Sequence, residues 1–194
     1  MMHTAELLEF FKQHRGDAIV IPGRGGRHWV PMNDGPLDLP VGDPAMGGHA
    51  GFGLGVALAQ PKRKVVLFDS EGDILMSLGM LVTIAEQKPA NLIHFILDNG
   101  VYATTGGQPV PNADNVDYVA VAKGTGYKRG YEISEIEDFK EKLPKILKET
   151  GPVFVRLRVH PEIQNEAIGN RRPWMKRSRE KIATDLRKEL GVAK

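Results

Sequence analysis

The chain has 194 residues, 41% of them hydrophobic, with 26 Lys and Arg against 24 Asp and Glu and no cysteine. That length suits one domain with a sizeable core, while the missing cysteines exclude disulfides and thiolate metal sites. A net charge of +2 is too small to imply nucleic-acid binding. The opening MMHTAELLEFFKQHRG reads as a charged amphipathic helix rather than a signal peptide, and no run approaches a membrane span, so a soluble, cytoplasmic protein is expected.

In chain order, Thr4 is expected to cap a first helix that turns Leu7, Leu8, Phe10 and Phe11 inward and stops at Gly16. The strand AIVIP follows, then a Gly- and Pro-rich loop over residues 23–44, whose length and place at a strand end favour a functional role. A helix over 47–59 carries glycines at 47, 48, 51, 53 and 55. Each costs about 1 kcal/mol relative to alanine, so close backbone packing or ligand approach must offset them. Next come the strand VVLFD, an acidic turn, one helix reaching Gln87, the strand NLIHFILDN and the loop GVYATTGGQ. The pattern then gives a helix over 117–123, a short strand at Tyr127, a helix over 134–148 opened by the capping box Ser134-x-x-Glu137, and the strand VFVRLRV. Residues 173–190 read as a basic helix, since 171–188 hold eight Arg or Lys against two acids. The alternation of helix and strand predicts a three-layer α/β fold, a parallel sheet with helices on both faces. The expected division is a body over 1–165 and an extension over 166–194.

In an open parallel sheet the strand ends on one side form the ligand crevice. Glu71 or Asp73 after one strand and Asn99 after the next therefore meet there. A carboxylate and an amide oxygen beside a helix N-terminus suit a hard cation that carries a diphosphate.

Ser70-Glu71-Gly72 followed by Asp98-Asn99 resembles the Gly-Asp-Gly and Asn-Asn signature of the diphosphate-binding domain of thiamine diphosphate enzymes. ILMSLGMLVTIAEQKPANLIHFILDNGVYATTGGQP and AMGGHAGFGLGVALAQP resemble in particular the sulfopyruvate and phosphonopyruvate decarboxylases, and the likeness covers about residues 15–160. It implies a magnesium ion held by Glu71, the Asn99 side chain and the Val101 carbonyl. Glu71 stands where the family usually has Asp, one methylene shorter, so calcium or manganese is a further expectation. Asp73 is the rival ligand, and taking it would break the gapless match.

The same resemblance places Gly23, Arg24 and Gly25 on a loop that reaches the cofactor. Pro44, Ala45, Met46 and Gly47 fall on the segment that bends it, with Met46 propping the two rings and the Pro44 carbonyl accepting from the aminopyrimidine. Gly72 and Asp73 fall near the phosphates, and Tyr102 lies on a loop that closes nearby with Thr104, Thr105 and Gln108. Asp73 would repel a phosphate unless it turns away. His28 and His49 have the chemistry of acid-base groups but no counterpart in the family's pattern. His94 reads as a core side chain.

The glutamate that activates the cofactor comes from another domain in this family, for which 194 residues leave no room. The expectation is a β-type subunit completed by a separate α subunit, as α2β2 or larger, acting on a small anionic 2-oxo acid, with Arg24, Arg171 and Arg172 as candidate anion contacts. Two alternatives stay open: a carboligase of the acetolactate synthase type, and a non-catalytic module that keeps the fold.

Overall fold

A computed structural model describes residues 1–41, 46–167, 170 and 175–192. Pro44, Ala45, Arg171 and Arg172 lie outside the described residues.

Five strands, β1 (Ile19–Ile21), β2 (Val65–Ser70), β3 (Leu92–Asp98), β6 (Arg129–Ile133) and β7 (Val153–Arg158), form a parallel sheet in the order β1-β2-β3-β7-β6. The central strands are buried on both faces, which is why they read as unbroken apolar runs rather than alternating ones. Odd and even positions part to opposite layers. Phe68, Phe95 and Val155 pack with Leu7, Leu8 and Phe11 of α1 (Thr4–His14) and with Phe139 and Leu143 of α7 (Ile136–Ile146). Leu67, Ile96 and Phe154 pack with Leu54 of α3 (His49–Ala59), Ile84 of α5 (Met80–Gln87) and Ala122 of α6 (Tyr118–Thr125). The three-layer arrangement expected from the sequence is therefore the one observed. A short antiparallel ribbon of β4 (Val101–Tyr102) and β5 (Gln108–Pro109) stands apart from the main sheet.

Several local expectations are corrected. Thr4 is the first residue of α1 and is buried, whereas the capping position falls to His3, which makes no side-chain cap. The segment after β1 is not a continuous loop: a 3-10 turn at Gly23–Gly25 leads into α2 (Gly26–Met32). Burial of Trp29 against Phe11 there outweighs the weak helix preference of the glycines. The single helix expected up to Gln87 is two, α4 (Glu71–Met76) and α5, because the chain breaks at Ser77, whose hydroxyl donates to the Gly47 carbonyl at 2.7 Å. The box at Ser134 makes no side-chain cap, as α7 starts from Glu135. Tyr127 precedes its strand and is buried beside His94.

The basic tail forms α8 (Arg179–Glu189), capped by Ser178, whose hydroxyl accepts from the Lys181 N–H at 3.2 Å. It lies against the body through Ile182, Leu186 and Leu190. Arg177 adds ion pairs to Asp34 at 2.6 Å and Asp185 at 3.0 Å.

Gly23 illustrates how tightly the strand ends are packed. Its φ is +42° and an added Cβ would sit 2.1 Å from the Phe68 carbonyl oxygen, part of the backbone of β2. Gly23→Ala is expected to destabilise the chain by about 2–4 kcal/mol through left-handed strain and overpacking together. Equilibrium denaturation of the two forms measures it, and an unchanged midpoint would refute the close approach.

Candidate cofactor and metal site

The parallel register puts the exits of β2 and β3 side by side: Ser70 pairs with Leu97, one residue before Asp98. Ser70 caps α4 by accepting from the Asp73 N–H at 3.1 Å, which directs Glu71 toward the neighbouring strand end. Glu71 is 1% exposed. Its Oε1 accepts from the Asn99 N–H at 3.1 Å and the Gly100 N–H at 2.9 Å, while its Oε2 is buried and meets no donor among the described residues. The Asn99 side-chain oxygen accepts from the Val101 N–H at 2.9 Å, which fixes the amide at the same crevice. A buried carboxylate oxygen left without a partner costs desolvation that an oxygen-seeking cation would recover. Glu71, the Asn99 amide and the Val101 carbonyl thus fit a divalent cation chemically.

Burial first, and next the charge of Asp98, push the Glu71 carboxyl up to about 7, against three backbone N–H groups that favour the ionised form. Between the ordinary 4.5 and this value the folded chain keeps a proton that the unfolded chain has lost. The metal-free protein is therefore expected to lose up to about 3 kcal/mol of this group's contribution as pH rises across that window. In Glu71→Gln this decline should vanish. A divalent cation needs the ionised carboxylate, so its stabilising effect should run the other way and grow as pH rises through about 7. Denaturation curves across that range, with and without magnesium, read both slopes.

Asp73 faces elsewhere. Its Oδ1 accepts from Arg24 Nε at 3.2 Å, Arg24 Nη2 at 2.5 Å and the Gly47 N–H at 3.2 Å, and its Oδ2 lies 2.8 Å from His49 Nδ1. Burial alone would raise its pKa, but the His49 hydrogen bond and the Arg24 charge outweigh burial and hold it well below the usual carboxylate range. For His49, burial works against protonation, yet the bond to Asp73 and the charges of Asp69 and Asp73 win, and its pKa is raised. This buried carboxylate therefore ties together the turn after β1, the turn before α3 and the start of α4. His49, Asp69 and Asp73 also come close enough to suggest a cation, but the Arg24 guanidinium already fills one face of Asp73. Behind them His94 is buried, with Nδ1 3.2 Å from the Tyr127 hydroxyl and Nε2 3.5 Å from Asp69. It is the core side chain the sequence suggested.

The strand ends open on one cavity of about 810 Å³, large enough for a cofactor-sized molecule; Ser70, Gly72 and Asn99, the neighbours of Glu71, line it, while Glu71 itself lies buried behind them. Arg24, Met46, Gly72, Asp73, Asn99 and Tyr102 all line it, as does Val101. Gly23 and Gly25 are buried beneath the turn, and Gly47 reaches the site through its N–H. Met46 is 61% exposed at the cavity wall. At Gly72 an added Cβ would come within 2.8 Å of the Tyr102 ring, so the glycine is what lets that ring lie over the turn. Arg27, His160, Glu162 and Gln164, which no sequence motif singles out, also line the cavity. Their one sequence signal is position: the last three follow β7 and so share the strand-end side with Glu71 and Asn99.

The fold is that of an α/β domain whose parallel sheet opens on a cavity at its strand ends. Residues 26–157 match the thiamine pyrophosphate enzyme C-terminal TPP binding domain, and the chain belongs to that family. Among its relatives, the phosphonopyruvate decarboxylase of Streptomyces viridochromogenes is 43% identical over 60% of this chain, which spans 29% of that protein. The sulfopyruvate decarboxylase subunit beta of Methanothermobacter thermautotrophicus is 44% identical over 83% of this chain and 84% of its own length. In structure, a thiamin diphosphate-dependent enzyme from Mycobacterium smegmatis superposes with a TM-score of 0.66 at 21% identity, over 82% of this chain and 32% of that one. No helix among the described residues is long and apolar enough to cross a membrane.

Proposed function

We propose that this chain is the diphosphate- and cation-binding β-type subunit of a two-subunit, thiamine diphosphate-dependent decarboxylase of small anionic 2-oxo acids. It works in the cytoplasm with a separate α subunit, as α2β2 or larger, and residues 1–165 carry the site. The observation that carries the reading is the unpartnered Glu71 oxygen, buried beside Asn99 at the ends of adjacent strands. Bound thiamine diphosphate supplies the electron sink that lets carbon dioxide leave a 2-oxo acid. The chain's own residues bind and orient it.

Glu71, Asn99 and the Val101 carbonyl would hold magnesium, calcium or manganese, and through it the diphosphate. Arg24, fixed by Asp73, adds positive charge at the phosphate end. Met46, with Pro44, Ala45 and Gly47 beside it, would hold the ring end of the cofactor in a fixed orientation. Tyr102 would close over Gly72 and keep water from the diphosphate. The similarity to a sulfopyruvate decarboxylase β subunit, over most of both lengths, supports the division of labour with a partner.

The test is to tag the chain in its native cells, recover it gently with magnesium, and identify by mass spectrometry what accompanies it. A second polypeptide of about this size together with thiamine diphosphate is the expected result. The chain alone, cofactor-free even after thiamine diphosphate is supplied, would overturn the proposal. Product analysis of the recovered complex then distinguishes aldehyde release from carboligation.

A further inference from the structure

Arg27 and His28 on α2, and Glu162 after β7, form a linked cluster on the cavity wall. Arg27 Nε donates to His28 Nε2 at 3.1 Å, His28 Nε2 lies 3.1 Å from Glu162 Oε2, and Arg27 Nη2 donates to that same carboxylate oxygen. One imidazole nitrogen thus faces a donor and an acceptor at equal distance. A neutral imidazole with its lone pair on Nε2 accepts from Arg27. An imidazolium with its proton on Nε2 donates to Glu162. Each protonation state has a partner at the same atom: in the imidazolium state the Arg27 Nε–H no longer finds an acceptor there, and Arg27 keeps its hold on Glu162 through Nη2. A tie that only joined α2 to the segment after β7 would require one of these states, not both. Acid-base work requires both.

The side chains of His28, Arg27 and Glu162 are 18%, 21% and 35% exposed, so the cluster opens to the cavity and can be recharged from water. Loss of carbon dioxide from a 2-oxo acid leaves an electron pair on the former carbonyl carbon, and release of an aldehyde needs one proton there. Neither Glu71 as a cation ligand nor the ion-paired Asp73 is placed to give it.

We propose that His28 is the catalytic acid of this site. The C–C bond to the carboxylate breaks, carbon dioxide leaves, and the proton on His28 Nε2 goes to the carbon that carried it. His28 then turns from donating to Glu162 to accepting from Arg27, and solvent restores the proton, so one proton is consumed for each aldehyde formed. This rests on the decarboxylase reading above and adds to it the source of the proton.

The experiment uses the complex recovered through the tagged chain, with sulfopyruvate and phosphonopyruvate as probes, and compares it with complexes carrying His28→Asn or Glu162→Gln. Bound thiamine diphosphate is quantified separately by mass spectrometry. In His28→Asn the cofactor content should be unchanged, while kcat for aldehyde release falls on the order of 100-fold with little change in KM. With an acceptor aldehyde present, the ratio of coupled product to free aldehyde should rise, because the unprotonated carbon persists. In Glu162→Gln the imidazolium loses its carboxylate partner while Arg27 remains. The alkaline limb of the kcat profile, where the acid form is lost, should then move to lower pH. Unchanged kcat and product ratio in His28→Asn would overturn the proposal, as would loss of cofactor in step with activity, which marks a structural role. An unsubstituted complex that binds thiamine diphosphate but decarboxylates neither probe also counts against it. Failure of that complex to bind thiamine diphosphate sinks the decarboxylase reading itself.

Discussion

Replacing Glu71 by alanine is expected to weaken magnesium-dependent thiamine diphosphate binding by more than about 100-fold, the upper end of what even an outer partner of a metal site contributes. Glu71 Oε1 is held by the Asn99 and Gly100 N–H groups, while the second oxygen stays buried without a donor among the described residues. Alanine removes both the charge and the anchor. Glu71→Gln keeps an acceptor for the two N–H groups but removes the charge, so it should fold like the parent and still fail to bind the cation. Glu71→Asp shortens the side chain to the length usual in the family and should retain or improve magnesium affinity. Titration of the recovered complex with thiamine diphosphate at fixed magnesium separates the three variants. Undiminished binding by Glu71→Ala would take Glu71 out of the metal site and return Asp73 to contention.

A second large effect is expected at Asp73, this time on stability. Its carboxylate is fully buried and balances Arg24 while accepting from Gly47 and pairing with His49. Removing one member of a buried ion pair strands the others and typically costs about 3–5 kcal/mol. Asp73→Ala, and also Asp73→Ser, should therefore unfold at markedly lower denaturant than the parent. The cost belongs to the stranded cation, so adding Arg24→Met to Asp73→Ser should restore part of it, and the double variant should be more stable than the summed single effects. Strict additivity in that cycle would mean that Arg24 and Asp73 do not depend on each other.

The sheet and its two helical layers were legible because the central strands are buried on both faces, and five- to seven-residue runs such as those around Phe68, Phe95 and Val155 carry that signature directly. The meeting of Glu71 with Asn99 was legible for the same reason, since parallel strands with a short register offset must release their chains side by side. Three kinds of feature were not. Helix α2 lies in a stretch whose glycines and prolines argue for a loop, and what overrides them is Trp29 packing on Phe11, a contact between segments that sequence leaves unconnected. The break at Ser77 depends on a carbonyl of Gly47, thirty positions away. The partners of Asp73, and the Glu162 partner of His28, come from segments far away in the chain, so the sequence showed a carboxylate near a phosphate position and an unassigned imidazole, but not the groups that settle where each one points.

The two amides that hold Glu71 make the site readable without any enzyme assay. The Asn99 and Gly100 N–H groups both donate to one carboxylate oxygen, so their electron density follows whatever happens to that group. Proton uptake or cation capture at Glu71 must shift both backbone resonances together. In a nitrogen-labelled sample, this pair of signals reports the occupancy of the crevice directly, with Glu71→Gln as the silent control.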